Sequence, residues 1–250
     1  MKWWERLQGK ATAPSPPVMR AVENQTFFGR ATQSEYRDLS LDRCTFHACY
    51  LPFPPRPGEW NHVKSLAIRD ANQINCSLDG ALIEDVTLHN LKRTGDAPLF
   101  FWGCVFRRVT LSGNISGLKI NRSISVGAPA RATMQPEWDR MVRQHYDATD
   151  WALDISNASF GGGVSFEALP GDKIRRDPET QILVRRSTLA EADWESLDYQ
   201  RTAINIELGW FLGGSQFDSV VLAARMGSKS AKQDLAVFRS LREAGIAEPD

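Results

Sequence analysis

A five-residue period is the feature of this 250-residue sequence that most limits its fold. Three stretches divide into blocks of five whose first and third residues are apolar. The blocks are LSLDR, CTFHA and CYLPF from Leu39, LAIRD, ANQIN, CSLDG, ALIED and VTLHN from Leu66, and LFFWG, CVFRR and VTLSG from Leu99. Of these 22 first and third positions, 21 are apolar, whereas a composition of 42% hydrophobic residues predicts about nine.

A period of five fits neither a strand, which alternates every two residues, nor a helix, which repeats every 3.6. It predicts a chain that turns at every fifth residue and points two side chains of each block inward. Successive turns then stack about 4.8 Å apart, and the inward rows form one continuous core. A six-residue period, typical of the left-handed hexapeptide helix, fails because it would place Asn72, Glu84 and Asn90 in the core.

This pattern resembles the pentapeptide-repeat family, whose blocks carry a small residue, then Asp or Asn, then Leu or Phe, then two variable residues. The small and large positions match over residues 39–111, while the Asp/Asn position matches only at Asn72, as in a degenerate member. The resemblance implies a right-handed quadrilateral coil. We therefore expect a mainly β chain, a right-handed parallel β-helix (a pentapeptide-repeat-like solenoid) with a C-terminal α-helical cap.

Three regions follow from these signals. We expect a flexible N-terminal arm at residues 1–20, a β-helix solenoid at 21–185 and a C-terminal helical cap at 186–250. Proline-rich or charged loops interrupt the repeat at 51–66 and 91–98, and a helix at 135–146 begins with Pro136 in its first turn. The cap begins after a strand at 181–184, with a long helix from a capping box at Thr188 and Glu191. Helices through 217–224 and 235–241 complete it, and this region either caps the coil or dimerises.

Charge and hydropathy exclude several classes of protein. Thirty basic and thirty acidic residues cancel, whereas a nucleic-acid binder normally carries a basic excess. A DNA imitator needs a sustained negative face, yet residues 34–126 contain 11 Lys and Arg against 9 Asp and Glu. No apolar run is typical of a signal peptide or a membrane span. We expect a cytoplasmic bacterial protein that binds neither nucleic acid nor membrane.

Metal, cofactor and nucleophile patterns are missing from the sequence. All four cysteines, Cys44, Cys49, Cys76 and Cys104, occupy the inward first position of a block, which predicts buried structural thiols. Neither they nor the four histidines have the spacing of metal ligands. No phosphate loop or nucleophile elbow occurs. We therefore predict no catalytic residue, no cofactor and no metal.

Some polar residues of the repeat also need an explanation. Gln73 is the one polar residue at a third position, and because an unpaired buried amide costs about 1–3 kcal/mol it should bond to backbone or lie near a loop. The adjacent charges Glu84–Asp85 and Arg107–Arg108 occupy block ends, where we expect solvated corners rather than an active site.

Aromatic residues in the insertions favour protein recognition. The candidate partner-binding residues are Phe53, Arg56 and Trp60 in the first loop, Trp102 at a corner and Trp138 in the inserted helix; each has packing onto the coil as its alternative role. We predict a non-catalytic protein-binding solenoid, such as an immunity protein that neutralises a bacterial toxin by direct binding. The alternatives are an enzyme with a site at the 135–146 insertion, and a structural protein that forms homodimers through its C-terminal helices.

Overall fold

The computed structural model describes residues 19–31, 33–56, 58–124, 128–199 and 202–249. Of the predicted N-terminal arm, only Met19 and Arg20 fall within these ranges. The strands are β1 Arg20–Glu23, β2 Thr26–Arg30, β3 Glu35–Asp42, β4 Thr45–Leu51, β5 Asn61–Ile74, β6 Ser77–Asp79, β7 Ala81–Arg93, β8 Leu99–Trp102, β9 Val105–Arg107, β10 Val109–Ile115, β11 Leu118–Asn121, β12 Leu153–Phe160, β13 Ile174–Arg175, β14 Gln181–Arg185 and β15 Ser219–Ala223. The helices are α1 Gln135–Asp147, α2 Arg186–Glu191, α3 Ile204–Gly214 and α4 Ala231–Glu243, with 3₁₀ turns at Pro129–Met134, Gly171–Lys173 and Trp194–Ser196.

The backbone turns where the five-residue period predicts. Ten of the eleven blocks have a positive φ at their fifth residue, namely Arg43, Ala48, Asp70, Asn75, Gly80, Asp85, Asn90, Gly103, Arg108 and Gly113. Positive φ is uncommon outside glycine and is best tolerated by Asn and Asp, which are frequent at these positions. First and third residues such as Ala71, Ile83 and Val86 are consequently buried in one apolar cluster.

The structure corrects the predicted right-handed β-helix solenoid. Strands β1–β13 join in parallel into one curled 13-stranded sheet. Although the chain bends at every fifth residue, β5 and β7 continue through the bends for 14 and 13 residues. β5 pairs with β3 and β4 as well as β7, which merges the ladders into a single branched sheet. A single residue with positive φ bends the strand without ending its hydrogen bonding, which the sequence pattern does not reveal.

The predicted C-terminal α-helical cap is also wrong. Residues expected to form a helix through 217–224 form β15, which pairs antiparallel with β14. The two faces of this strand pair alternate: Leu183 and Val221 pack into the core of the large sheet, whereas Ile182 and Val220 pack against the helices. Because both faces are buried, the strand is apolar throughout and lacks the alternation that would distinguish it from a helix.

The predicted helices have mixed outcomes. The helix expected at 135–146 is confirmed as α1, and the last helix is confirmed as α4, which ends shortly before Gly245 with its φ of 69°. The prediction of a single long helix that begins at Thr188 is wrong. This segment instead forms α2, the 3₁₀ turn at Trp194–Ser196 and α3.

Three of the four cysteines occupy the predicted buried positions. Cys44, Cys76 and Cys104 are buried, Cys49 is partly buried, and all four are free thiols. The Sγ atoms of Cys76 and Cys104 each lie 3.2 Å from a carbonyl oxygen of a neighbouring strand. Burial raises the pKa of the Cys104 thiol well above its usual range, which is typical of a packing residue rather than a nucleophile.

Gln73 is bonded to backbone and lies near a loop, as predicted. Its Nε2 donates to the carbonyl oxygen of Ala97 at 3.0 Å, and its Oε1 accepts from the backbone N–H of Cys76 at 3.2 Å. Because Ala97 belongs to the connection between β7 and β8, the amide fastens that loop to the interior of the sheet. The single polar residue in the inward rows is therefore a paired one.

The expectation of solvated corners is wrong for Glu84. Its side chain is buried and carries ion pairs to Lys64, Arg107 and Arg108. The parallel register places Lys64 and Arg107 directly opposite Glu84 on the two neighbouring strands. The charges thus form a ladder across three strands, which a single sequence without strand pairing could not show.

Candidate functional site

The loop after β4 and helix α1 pack closely over two glycine corners. Gly80 and Gly103 both have a φ of 58°. A Cβ atom added to Gly80 would lie 2.5 Å from Cδ of Pro54, and one added to Gly103 would lie 2.9 Å from Nε1 of Trp138. Glycine is therefore required both by the backbone conformation and by the close approach of the loop and the helix.

Three of the five predicted partner-binding residues meet at this place. The ring centroids of Phe53 and Trp138 lie 5.9 Å apart at an interplanar angle of 81°, and those of Trp60 and Trp138 lie 4.6 Å apart. Trp138 is only 1% exposed, and its Nε1 donates to the carbonyl oxygen of Gly103 at 3.0 Å. Phe53 is also buried, so in this conformation both side chains pack inside the protein while Trp60 stays partly exposed.

The other two predicted residues make no ring contact with this aromatic cluster in the described part of the chain. Arg56 is at the surface of the loop, with a side chain 79% exposed and a distance of 3.6 Å to the carboxylate of Glu59. Trp102 lies in β8, where it is partly buried and stacks on Phe100 with ring centroids 5.4 Å apart. Arg56 can therefore contact a partner together with Trp60, whereas Trp102 lies beside the glycine corners, directly before Gly103 and with its carbonyl oxygen accepting from the backbone N–H of Gly80 at 2.8 Å.

A groove of about 750 Å³ lies between this loop and the segment that follows β2. Its walls combine proline and aromatic side chains with a few polar groups. The lining residues are Arg30, Ala31, Gln33, Ser34, Pro52, Phe53, Pro54, Pro55, Glu59, Trp60 and Asn61. The side chain of Asn61 donates to the carbonyl oxygens of Pro52 and Asp79, which ties the loop to the sheet and fixes the wall of the groove.

Strand β2 continues from this groove as an exposed edge of the sheet. Among the described residues β2 pairs only with β4, and all five of its residues are exposed. Phe28 is 68% exposed and Phe27 37%, although Phe27 also stacks on Phe46 at 5.4 Å. An open edge with large apolar side chains is a template for another strand.

Sequence reasoning missed β2 as a functional element. The available signal was the pair of adjacent aromatic residues, Phe27 and Phe28, in a segment where the five-residue pattern is weak. Arg30 ends this strand and also lines the groove. The sequence does not reveal this second role, because it depends on how the loop after β4 folds back towards β2.

The polar groups of α1 hold the helix on the sheet. The hydroxyl oxygen of Tyr146 accepts from the backbone N–H of Phe106 at 3.1 Å, and His145 Nε2 lies 3.2 Å from the carbonyl oxygen of the same residue. Burial lowers the pKa of His145 below its usual value. Asp139 pairs with Arg122 and accepts from Gln135. These groups are engaged in structural contacts, and the enzyme alternative at 135–146 stays a prediction.

The described residues contain neither a cluster of metal ligands nor a helix that could span a membrane. In these segments no group of three or more His, Cys, Asp or Glu side chains could hold a metal ion. None of the helices in this part of the chain is long and apolar enough to cross a membrane.

Comparison of the chain with family models, with curated proteins and with solved structures gave no match in any of the three.

Proposed function

We propose that this protein acts by binding another protein, with β2 and the adjoining groove as its contact surface. The observation that carries the proposal is the exposed edge of β2, where Phe27 and Phe28 stand beside backbone groups that pair on one side only within the described chain. Tyr50 on the neighbouring strand is also 43% exposed and widens the apolar patch.

Strand addition is the mode of binding that this surface favours. An extended segment of the partner would pair its backbone with the outer edge of β2, because main-chain hydrogen bonds at a sheet edge supply affinity for almost any sequence. Side chains of the partner would then enter the groove, where prolines and Trp60 offer apolar contact. Large aromatic contacts of this kind dominate the energy of protein interfaces.

The predicted partner-binding residues take two different roles in this proposal. Trp60 and Arg56 would contact the partner directly, since both keep exposed atoms beside the groove. Phe53 and Trp138 would act indirectly, by fixing the loop that forms the wall. Binding of the partner would therefore depend on all four residues, although only Trp60 and Arg56 would contact it.

The form of this function that we favour is non-catalytic neutralisation of a toxin by direct binding, as an immunity protein does. Its support is general: the surface suits a protein partner, and the chain has no net charge that would steer it towards nucleic acid. The proposal requires no cofactor.

Site-specific photo-cross-linking in the native cells tests the proposal. A photo-reactive amino acid is placed at Phe28 or Arg56, and in matched controls at Glu195 or Lys232, which are exposed on the C-terminal region. We expect one protein to be captured from positions 28 and 56 and not from the control positions. Equal capture from all four positions, or none from positions 28 and 56, would reject this contact surface.

A further inference from the structure

A second cleft, of about 390 Å³, lies where the end of β11 and the segment after β12 face helix α3. It has a short lining with one indole, one carboxyl and one amide side chain among glycines. The lining residues are Asn121, Glu167, Gly209, Trp210, Gly213 and Gly214. None of them belongs to β2 or to the groove beside it.

The glycines of α3 are not explained by packing. A Cβ atom at Gly209, Gly213 or Gly214 would have no neighbour within 4 Å, and none of the three has a positive φ. A glycine inside a helix costs about 1 kcal/mol relative to alanine. Gly209 and Gly213 are four residues apart and therefore lie on one face of the helix. Three glycines along a cleft leave its wall open and its backbone accessible.

Trp210 is held in place at the mouth of the cleft. Its side chain is 42% exposed, and the ammonium group of Lys119 lies 4.2 Å from the centroid of its ring. A cation over an aromatic ring is attractive and reduces the freedom of both side chains. The indole thus presents a large apolar surface in a fixed orientation at the mouth of the cleft.

The charges around the cleft favour a neutral ligand. Glu167 is partly buried and, within the described part of the chain, makes no direct hydrogen bond or ion pair. Burial raises its pKa, and the nearby cations Lys119 and Arg122 act in the opposite direction. Arg122 is itself paired with Asp139 and donates to the carbonyl oxygen of Gly214. Because the carboxyl of Glu167 faces two cations, one of which is already paired with Asp139, the charges at the cleft largely cancel and give no strong preference for a cation or an anion.

We propose that this cleft binds a neutral saccharide. One face of a sugar ring would lie against the indole of Trp210, and its hydroxyl groups would bond to the carboxyl of Glu167 and the amide of Asn121. The open glycine wall of α3 would let the ring approach the backbone closely. This inference goes beyond protein binding at β2 and does not depend on it, since the two surfaces share no residue.

Saturation-transfer NMR on the intact protein tests the inference, with cellotetraose, chitotetraose and maltotetraose as probes. Free saccharides that bind one exposed indole typically do so weakly, so we expect a dissociation constant of about 1 mM, or about 4 kcal/mol of binding free energy. At least one probe should give saturable transfer. Trp210→Ala should abolish it, and Glu167→Gln should weaken binding by roughly tenfold, because a neutral amide forms a weaker hydrogen bond with a hydroxyl group than a carboxylate does.

A matched control is available at Trp151. Its ring lies 4.2 Å from the guanidinium of Arg175, the same distance that separates Trp210 from Lys119, so Trp151→Ala removes an equivalent cation–π pair elsewhere. This variant should bind the saccharide normally. Absence of transfer with all three probes, or transfer that survives Trp210→Ala, would overturn the inference. Stronger binding of arginine methyl ester than of any saccharide would also overturn it and indicate a cation site.

Discussion

The indole Nε1 of Trp138 donates a hydrogen bond of 3.0 Å to the carbonyl oxygen of Gly103, and this contact joins helix α1 to a corner of the sheet. Gly103 and Trp138 are 35 residues apart in sequence. The same tryptophan supports Phe53 and Trp60, so the position of the groove wall depends on a glycine that does not touch the groove.

Gly103→Ala should destabilise the protein strongly. The residue has a φ of 58°, and an added Cβ would lie 2.6 Å from Cγ2 of Ile124. The left-handed conformation costs a non-glycine residue about 1–2 kcal/mol, and overpacking costs about 1–3 kcal/mol more. We expect a loss of roughly 3 kcal/mol in the free energy of urea unfolding. Gly213→Ala is the control, because a Cβ there meets nothing within 4 Å, and it should be neutral or stabilising. Similar values for the two variants would contradict the close packing.

Gln73→Leu should destabilise the protein even though it makes the inward row fully apolar. The change leaves the N–H of Cys76 and the carbonyl group of Ala97 without their side-chain partner. Each unsatisfied buried group costs about 1–3 kcal/mol, and the gain in apolar burial offsets part of this. We expect a net loss of about 1–2 kcal/mol in urea unfolding. Ile83→Leu changes another inward position at constant volume and should cost less. A stabilised Gln73→Leu variant would show that the amide is not paired as described.

Glu84→Gln should cost about 3 kcal/mol in urea unfolding. Removal of this buried carboxylate leaves Lys64, Arg107 and Arg108 close together without their shared counter-ion. Breaking a buried ion pair from one side costs about 3–5 kcal/mol, and the partial exposure of the three cations places the expected value at the lower end. Glu137→Gln removes an exposed carboxylate that lies 3.9 Å from Arg140, and it should change stability by less than about 1 kcal/mol. Equal effects would mean that the ladder contributes nothing beyond a surface pair.

Glu207 should make stability fall as the pH rises. Burial, with the nearby Asp234 carboxylate, raises the pKa of Glu207 to about 8 from an ordinary 4.5. Between these values the folded protein keeps a proton that the unfolded chain has released, so each step up in pH favours unfolding. The free energy of unfolding should therefore fall by at most about 1.4 kcal/mol for each pH unit, and by less because the side chain is partly exposed.

Urea titrations between pH 4.5 and 8 measure this effect. The Glu207→Gln variant should lose that part of the pH dependence and gain stability relative to the native protein at the alkaline end of the range. Glu195→Gln, at an exposed position, should retain the native profile. A Glu207→Gln profile parallel to that of the native protein would contradict the raised pKa.

The inward rows of the sheet could be predicted because they depend on local spacing. The turns at every fifth residue follow from steric rules that act within one block. Asn, Asp and Gly tolerate positive φ best, and their frequency at the fifth positions indicates where the turns lie. The merging of the ladders into one sheet depends on hydrogen bonds between residues 20 or more apart, such as those between β5 and β7. A period in a single sequence contains no information on whether those bonds continue through a corner.

The functional surfaces were harder to predict, for a related reason. Aromatic residues in loops were expected to face a partner, but Phe53 and Trp138 are buried because Gly80 and Gly103 let them approach the sheet. Exposed aromatic residues occur instead on regular elements: Phe27 and Phe28 on β2, where the sheet edge lacks a neighbour in the described chain, and Trp210 on α3. Exposure depends on what packs nearby, which is a property of the fold and not of the residue type.

Amide hydrogen exchange shows directly whether a partner binds at β2 and its groove. The partner captured from positions 28 and 56 is purified, and amide exchange is compared in the free protein and in the complex. We expect slower exchange in the complex over β2 and residues 52–61, with little change in α3 and α4. Protection confined to the C-terminal helices, with β2 exchanging at the same rate in both states, would contradict this expectation.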